Sequence, residues 1–309
     1  VGNHDLPNIE HKAHTLEIYN SLHLPRVHVS KKIESFIIKT SAGDVQIVTW
    51  PWLTRNFLLK NEEYRGKSIE EIDTILLNKA TQLFLDLIEK LNPSLPAIGL
   101  VHATIMGAKF GSERNVMIGK DLVLPLSLLA NERFSYVACG HLHKHQVLCE
   151  NPHVAYAGSP ERIDFGEEKE EKGCILVEIE DLKMKNFQFL STNAREFFTW
   201  HITDPFSPPL KPLNDYIVKI VISGNKKFVD SIHLDILQPY IKEAYFFAGI
   251  ERVIQEESIS ISTREDLFVD AEKPEERLEK YLVQKKISKE TIEKVLRKGQ
   301  EIFSSTKEM

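Results

Sequence analysis

Gly140-His141-Leu142-His143 follows directly on the apolar run Phe134-Ser135-Tyr136-Val137-Ala138-Cys139. The run reads as a short buried strand and Gly140 as a sharp exit from it. Two imidazoles separated by one residue at such an exit can turn to the same side. Neutral imidazole is the commonest protein ligand of divalent transition metals. Two further features belong with this pair: Gly2-Asn3-His4-Asp5, and His102 behind the apolar stretch Ala97-Ile98-Gly99-Leu100-Val101. Asn3 adds a neutral oxygen donor, and His4 beside it is left to supply a proton. Singly, each has a plainer explanation. His-x-His can be a solvated pair, Asn-His-Asp a turn or helix cap, and His102 a satisfied histidine at a strand end. In the combined order G-N-H-D, strand-H, strand-G-H-x-H they point to a metal site on the strand-end loops of an α/β sheet.

More residues extend the pattern. Gly107-Ala108-Lys109-Phe110-Gly111-Ser112-Glu113-Arg114 follows His102, and Lys144-His145-Gln146 follows His143. Tyr156-Ala157-Gly158-Ser159-Pro160-Glu161-Arg162-Ile163-Asp164-Phe165-Gly166-Glu167 comes next. With these, the chain resembles the calcineurin-like metallophosphoesterases, and within them the SbcD-type nuclease subunits related to Mre-type repair nucleases. The likeness spans nearly the whole chain. It implies two divalent cations, manganese first and magnesium as the alternative. Asn3, His102 and His141 would hold one ion, and His143 would help hold the other. His4 would be catalytic without ligating, stabilising charge or donating a proton at the leaving oxygen, with Asp5 orienting its ring. DNA as substrate, an SbcC-like coiled-coil ATPase as partner and a homodimer of nuclease subunits are also implied, in the cytoplasm with the nucleoid. Lys109, Arg114, Lys144 and Arg162 are candidates for phosphate contacts, or else solvated surface cations.

The same family pattern places Asp-x-His and Gly-Asp-x-x-Asp motifs ahead of G-N-H-D, whereas this sequence starts inside the third motif. The expectation is an N-terminally truncated chain short of its first βαβ segments; an upstream part carried elsewhere is the alternative. Two divalent cations about 3.5–4 Å apart repel, and a shared carboxylate or hydroxide offsets that repulsion. Asn3, His102, His141 and His143 are all neutral, so a chain with these donors alone is expected to bind a metal pair poorly and turn over little.

The elements that position these residues are legible in part. Ile33–Thr40 and Val45–Thr49 flank Ser41-Ala42-Gly43-Asp44 as a hairpin, and Trp50-Pro51-Trp52-Leu53 ends it. Ser68 reads as an N-cap, followed by helical spacing of Ile72, Ile75, Leu76, Ala80, Leu83, Phe84, Leu87 and Ile88. Strands Ala97–Val101 and Phe134–Cys139 then deliver the histidines. Gly173–Ile179, Asn186–Leu190 and Phe197–Ile202 read as three strands finishing the sheet system. Four prolines in Asp204-Pro205-Phe206-Ser207-Pro208-Pro209-Leu210-Lys211-Pro212 make a stiff linker. Beyond it, Asp215–Ser223 reads as a strand, Phe228–Tyr240 as helical, and Ala244–Phe247 and Glu251–Glu257 as two short strands. Pro274, Glu275 and Glu276 start a helix with the stripe Leu278, Tyr281, Leu282. Ser288 caps a second with Ile292, Val295, Leu296, Ile302 and Phe303.

The expected fold is therefore α/β. Residues 1–204 would form a metallophosphoesterase β-sandwich flanked by helices and incomplete at its N-terminus. A small α+β capping domain over 213–265 and a helix-loop-helix partner-binding tail over 272–305 would follow. The tail can equally pack on its own body; the resemblance favours the ATPase partner.

Composition bounds the rest. Hydrophobic content of 42% and charged content of 27% are those of an ordinary globular chain, and a net charge of −6 argues against coating nucleic acid by bulk electrostatics. Three cysteines without C-x-x-C spacing fit a reducing compartment, and no apolar window is long enough for a membrane span. No Gly-x-x-x-x-Gly-Lys-Ser/Thr loop is present, so any ATP is bound by a partner. Three functions remain: a DNA exo/endonuclease subunit, a stand-alone metallophosphatase or phosphodiesterase on small substrates, and a catalytically dead binding subunit. The linker, small domain and tail favour the first over the second.

Overall fold

The computed structural model describes residues 1–6, 16–55, 62–111, 121–255, 278–279, 282–283 and 288–305. Its contacts divide the chain into two compact units: 1–202, 207–221 and 234–251 form the first, and 203–206, 222–233 and 252–309 the second. The fold is mixed α/β, built around a six-stranded sheet in the first unit.

After a short helix α1 (Glu17–Ser21), strands β1 (Glu34–Thr40) and β2 (Gly43–Trp50) form the expected antiparallel hairpin, with Thr40 opposite Gly43. Helix α2 (Ile69–Glu89) opens on a complete capping box. Ser68 Oγ accepts from the Glu71 amide at 3.2 Å, and the Glu71 carboxylate accepts from the Ser68 amide at 2.8 Å. Ile72, Ala80, Phe84 and Ile88 form its buried face. The Phe84 ring meets Trp50 edge-on at 5.2 Å between centroids and Phe134 at 6.1 Å, which fixes the helix against the sheet.

Strands β3 (Ala97–His102), β4 (Thr104–Ile105) and β5 (Val123–Leu124) follow, then the single turn α3 (Leu126–Leu129). After these come β6 (Tyr136–Gly140), β7 (Gln146–Glu150) and β8 (His153–Tyr156). The sheet order is β1-β2-β3-β6-β8-β7, with β2, β3, β6 and β8 mutually parallel. Their C-terminal ends therefore share one edge: Trp50 lies opposite Val101, His102 opposite Gly140, and Cys139 opposite Tyr156. Val48, Val101, Val137, Val154 and Tyr156 are buried along these strands, which explains the near-continuous apolar runs. Periodicity in the sequence reveals neither β7 nor β8, because one is half polar and the other only four residues long.

Three expectations are corrected. Strands β9 (Gly173–Glu180) and β10 (Lys183–Ser191) pair with each other in a separate two-stranded sheet, joined by Asp181 and Leu182, both at positive φ. Two positive φ values in a row give the tight turn whose twist suits a hairpin. Strand β11 (Phe197–Ile202) instead belongs to a three-stranded sheet with β12 (Ile217–Gly224) and β13 (Phe246–Ile254), in the order β11-β12-β13. The two short strands expected around 244–257 are a single β13. Gly249, at φ +137°, carries the chain through the point where the sequence suggests a break.

Residues 203–216 contain no helix or strand, as the prolines require. Phe228–Tyr240 contains two helices, α4 (Lys226–Ser231) and α5 (Leu234–Ile241). In the second unit, Asn225 Oδ1 caps α4 by accepting from the Phe228 amide at 2.9 Å, and Arg252 Nη2 donates to the Ile232 carbonyl at 3.0 Å. Helix α6 (Lys289–Ser305) begins after Ser288, with Ile292 buried. Residues 278–279 and 282–283 are helical; Pro274, Glu275, Glu276 and Tyr281 lie outside the described residues. Among the described residues no helix is long and apolar enough to cross a membrane.

Candidate metal centre

The parallel register places the site. β3 ends on His102, its neighbour β6 ends on Gly140, and His141 is the first residue beyond. His141 has φ +108°, outside the regions favoured by a non-glycine residue, at a cost of about 1–3 kcal/mol. Its surroundings hold it there. His141 Nε2 lies 3.0 Å from Asp121 Oδ2, its Nδ1 is 3.4 Å from Asn3 Oδ1, and the Trp52 ring lies against it at 4.8 Å between centroids.

Asn3 reaches the same point from the chain start. Its Oδ1 lies 2.9 Å from His102 Nε2. Gly2 makes this approach feasible, since a Cβ there would fall 2.6 Å from the His102 ring. Asp5 Oδ2 accepts from the Gly2 amide at 2.7 Å and shapes the turn. Asp5 is thus engaged with backbone, and His4 is exposed.

Asn3 Oδ1, His102 Nε2 and His141 Nδ1 form the core of the cluster. Donor separations of 2.9 and 3.4 Å match the polyhedron edges, about 3.0–3.4 Å, of a cation whose ligands stand at about 2.1 Å. Among the described residues no three His, Cys, Asp or Glu side chains make a metal-holding group, so the cluster depends on the Asn3 amide oxygen. Two observations fit a cation here. A carboxylate on Nε2 places the His141 proton there, so the lone pair on Nδ1 faces another acceptor, the Asn3 oxygen. Burial, reinforced by the His141 ring, pushes the His102 imidazole down to about 4, which keeps it neutral and able to donate its lone pair at neutral pH. The residues present fit one divalent ion.

His143 is held differently. Its Nδ1 lies 2.8 Å from Glu167 Oε1, and Glu167 is fully buried beside Lys172. Burial alone would raise the Glu167 carboxyl, but hydrogen bonds from Lys172, His143 and the Ile163 amide hold it below its ordinary value.

Asp121, Glu167, Lys172 and Trp52 carry no sequence signal as site residues. Asp121 arrives through the two-residue parallel pairing of β4 with β5, and Thr104 Oγ1 donates to its Oδ2 at 2.6 Å. Its other oxygen, Oδ1, is buried with no hydrogen-bond partner among the described residues.

The basic candidates are scattered in role. The Lys109 backbone is clasped by Gln146, whose side chain accepts from the amide and donates to the carbonyl, both at 2.8 Å. The Lys109 residue is exposed and Lys144 half-buried. Arg162 spends its guanidinium on the carbonyls of Ala194 at 2.9 Å, Arg195 at 3.1 Å and Glu170 at 2.8 Å. Arg114 lies outside the described residues. His145 Nδ1 lies 2.8 Å from the Tyr156 carbonyl oxygen, and its ring stacks on Phe189.

No family model matches the chain. It is similar to the SbcD component of the SbcCD nuclease from Staphylococcus epidermidis, 26% identical over 218 residues, covering 70% of this chain and 48% of the relative. It is also similar to the SbcD component of the same nuclease from Escherichia coli K12, 32% identical over 98 residues, covering 31% of this chain and 24% of the relative. The chain thus spans about half the length of the first of these relatives and about a quarter of the second.

Proposed function

We propose that this chain is a metal-dependent DNA nuclease subunit that hydrolyses phosphodiester bonds and works with an SbcC-like coiled-coil ATPase in DNA end processing. The carrying observation is the convergence of Asn3, His102 and His141, from three distant stretches, on one point at the C-terminal edge of a parallel sheet. The similarity to the SbcD components of two SbcCD nucleases supports the choice of DNA over other phosphodiesters.

In this reading Asn3, His102 and His141 hold one divalent ion and His143 contributes to a second. When bound, such ions supply positive charge to the phosphate oxygens and lower the pKa of a bound water. Two imidazoles among three donors favour Mn2+ over Mg2+, which prefers an all-oxygen shell. Asp121 fixes the His141 proton on Nε2, and Trp52 covers the ring face. His4, next to Asn3 and exposed, delivers a proton to the leaving oxygen. By the same resemblance, residues 213–265 are assigned a capping role toward DNA and the tail over 272–305 the binding of the ATPase.

Four neutral donors offset little of the repulsion between two cations, so the second ion is expected to bind more weakly than the first. The test is cleavage of linear duplex DNA in millimolar Mn2+ with the ATPase present, compared with p-nitrophenyl phosphodiesters. Mn2+-dependent DNA cleavage, lost in Asn3→Ala, supports the reading. Hydrolysis of the small diesters without DNA cleavage, or no divalent-ion binding at all, overturns it in favour of a small-molecule esterase or a binding subunit.

A further inference from the structure

Glu167-Glu168-Lys169-Glu170-Glu171-Lys172 has the composition of a solvated surface run, yet the side chains of Glu167 and Lys172 are both 0% exposed. Burying two opposite charges is costly unless their geometry and remaining hydrogen bonds are good. Here Lys172 Nζ lies 2.9 Å from Glu167 Oε2 and 2.9 Å from Glu170 Oε2. The same ammonium donates to the backbone carbonyl of His143 at 3.1 Å. Glu167 Oε1 meets His143 Nδ1 at 2.8 Å, while Oε2 accepts from the Ile163 amide at 3.1 Å.

The loop leading to this pair grips the same histidine. The Ser159 amide donates to the His143 carbonyl at 3.0 Å. Gly158, at φ +86°, passes so close that a Cβ there would lie 2.7 Å from that oxygen. Ring and backbone of His143 are therefore both clamped from residues 158–172.

We propose that Glu167 and Lys172 are a positioning pair for His143. The carboxylate keeps the ring proton on Nδ1 and leaves the lone pair on Nε2 for a metal ion. The ammonium anchors the carboxylate and the His143 carbonyl together, so that ring rotation would break the Nδ1 contact with a carboxylate that cannot follow it. His141 is set the opposite way, with its proton on Nε2, so one His-x-His turn offers two different ring nitrogens. This deepens the metal-site reading above and rests on it for the ion, whereas the ring's proton position is readable without metal.

Long-range 1H–15N spectra of the metal-free full chain, with His143 assigned through His143→Gln, report which nitrogen is protonated. The parent is expected in the Nδ1–H form. Glu167→Gln and Lys172→Met are expected to lose that preference and to weaken binding of the second Mn2+, the ion His143 would help hold and the one whose affinity is compared, about 10–100-fold, with Lys172→Arg recovering most of it. The double variant Glu167→Gln/Lys172→Met removes both buried charges, and circular dichroism checks that each variant is folded. A merely structural pair would regain thermal stability and Mn2+ affinity together in the double variant; a positioning pair regains stability alone. An unchanged tautomer and Mn2+ affinity within about two-fold of the parent across the variants would overturn the proposal. A parent that binds no Mn2+ leaves the tautomer shift to decide. If the shifts appear but the parent cleaves no DNA, the positioning role stands and the nuclease reading falls.

Discussion

Asn3 Oδ1 lies 2.9 Å from His102 Nε2 although 99 residues separate them in the chain. An amide oxygen is a weak neutral donor, so its value at this point depends on the ion that the proposed site would share between it and the imidazoles. Asn3→Ala is expected to lower Mn2+ affinity by about 10-fold or more. Asn3→Asp is expected to raise it, because one negative charge enters a set of neutral donors. Isothermal titration with Mn2+ separates the two cases. Equal affinity in the parent and both variants would reduce Asn3 to a turn residue.

Asp121 provides a second test of the proposed metal site. Its Oδ2 accepts from Thr104 Oγ1 at 2.6 Å and faces His141 Nε2 at 3.0 Å. Asp121→Asn can present an amide N–H to that nitrogen and so favour the wrong tautomer. A 10–100-fold loss of Mn2+ affinity is expected, with Thr104→Val nearer the lower end. Competition against a fluorescent chelator would measure both; affinities matching the parent would remove Asp121 from the site.

These two residues also mark how far the sequence could be read. Asn3, His102, His141 and His143 stood out because their residue types and their places behind apolar runs are local signals. Helix α2 was legible for the same reason: 21 residues with one apolar face and a capping box. Asp121 gave no signal, since it reaches His141 only through the pairing of two-residue strands β4 and β5. Glu167 and Lys172 were hidden by their neighbours in a charged run, where burial of two side chains out of six has no compositional trace. Strand β11 is legible as a strand but its sheet is not, because pairing partners are set by tertiary contacts that periodicity does not carry.

Phe84 ties the longest described helix, α2, to the six-stranded sheet. It is fully buried, and its ring meets Trp50 two residues before Trp52, which lies on His141. Phe84→Ala is expected to cost about 3–5 kcal/mol in urea unfolding, and the neighbouring Leu83→Ala, 46% exposed, less than about 1 kcal/mol. A comparable loss in the two variants would mean that α2 does not pack through the Phe84 face.

The capping box at Ser68 and Glu71 gives a pH-dependent prediction away from the proposed metal ligands. The Ser68 amide donates to the Glu71 carboxylate at 2.8 Å and holds its pKa below the usual 4.5. A carboxyl that is more acidic when folded stabilises the fold above its unfolded pKa and loses that contribution as pH falls through the folded value. Glu71→Gln should therefore melt below the parent at pH 7, and the gap should close as the pH drops under about 4.5. Ser68→Ala removes the reciprocal bond to the Glu71 amide and should cost about 1 kcal/mol, with little dependence on pH between 6 and 8. Thermal melts of the three proteins from pH 3 to 8 make the comparison. A gap between parent and Glu71→Gln that widens toward acid would contradict the sign of the linkage. It would show that the Glu71 carboxylate is not what closes the first turn of α2.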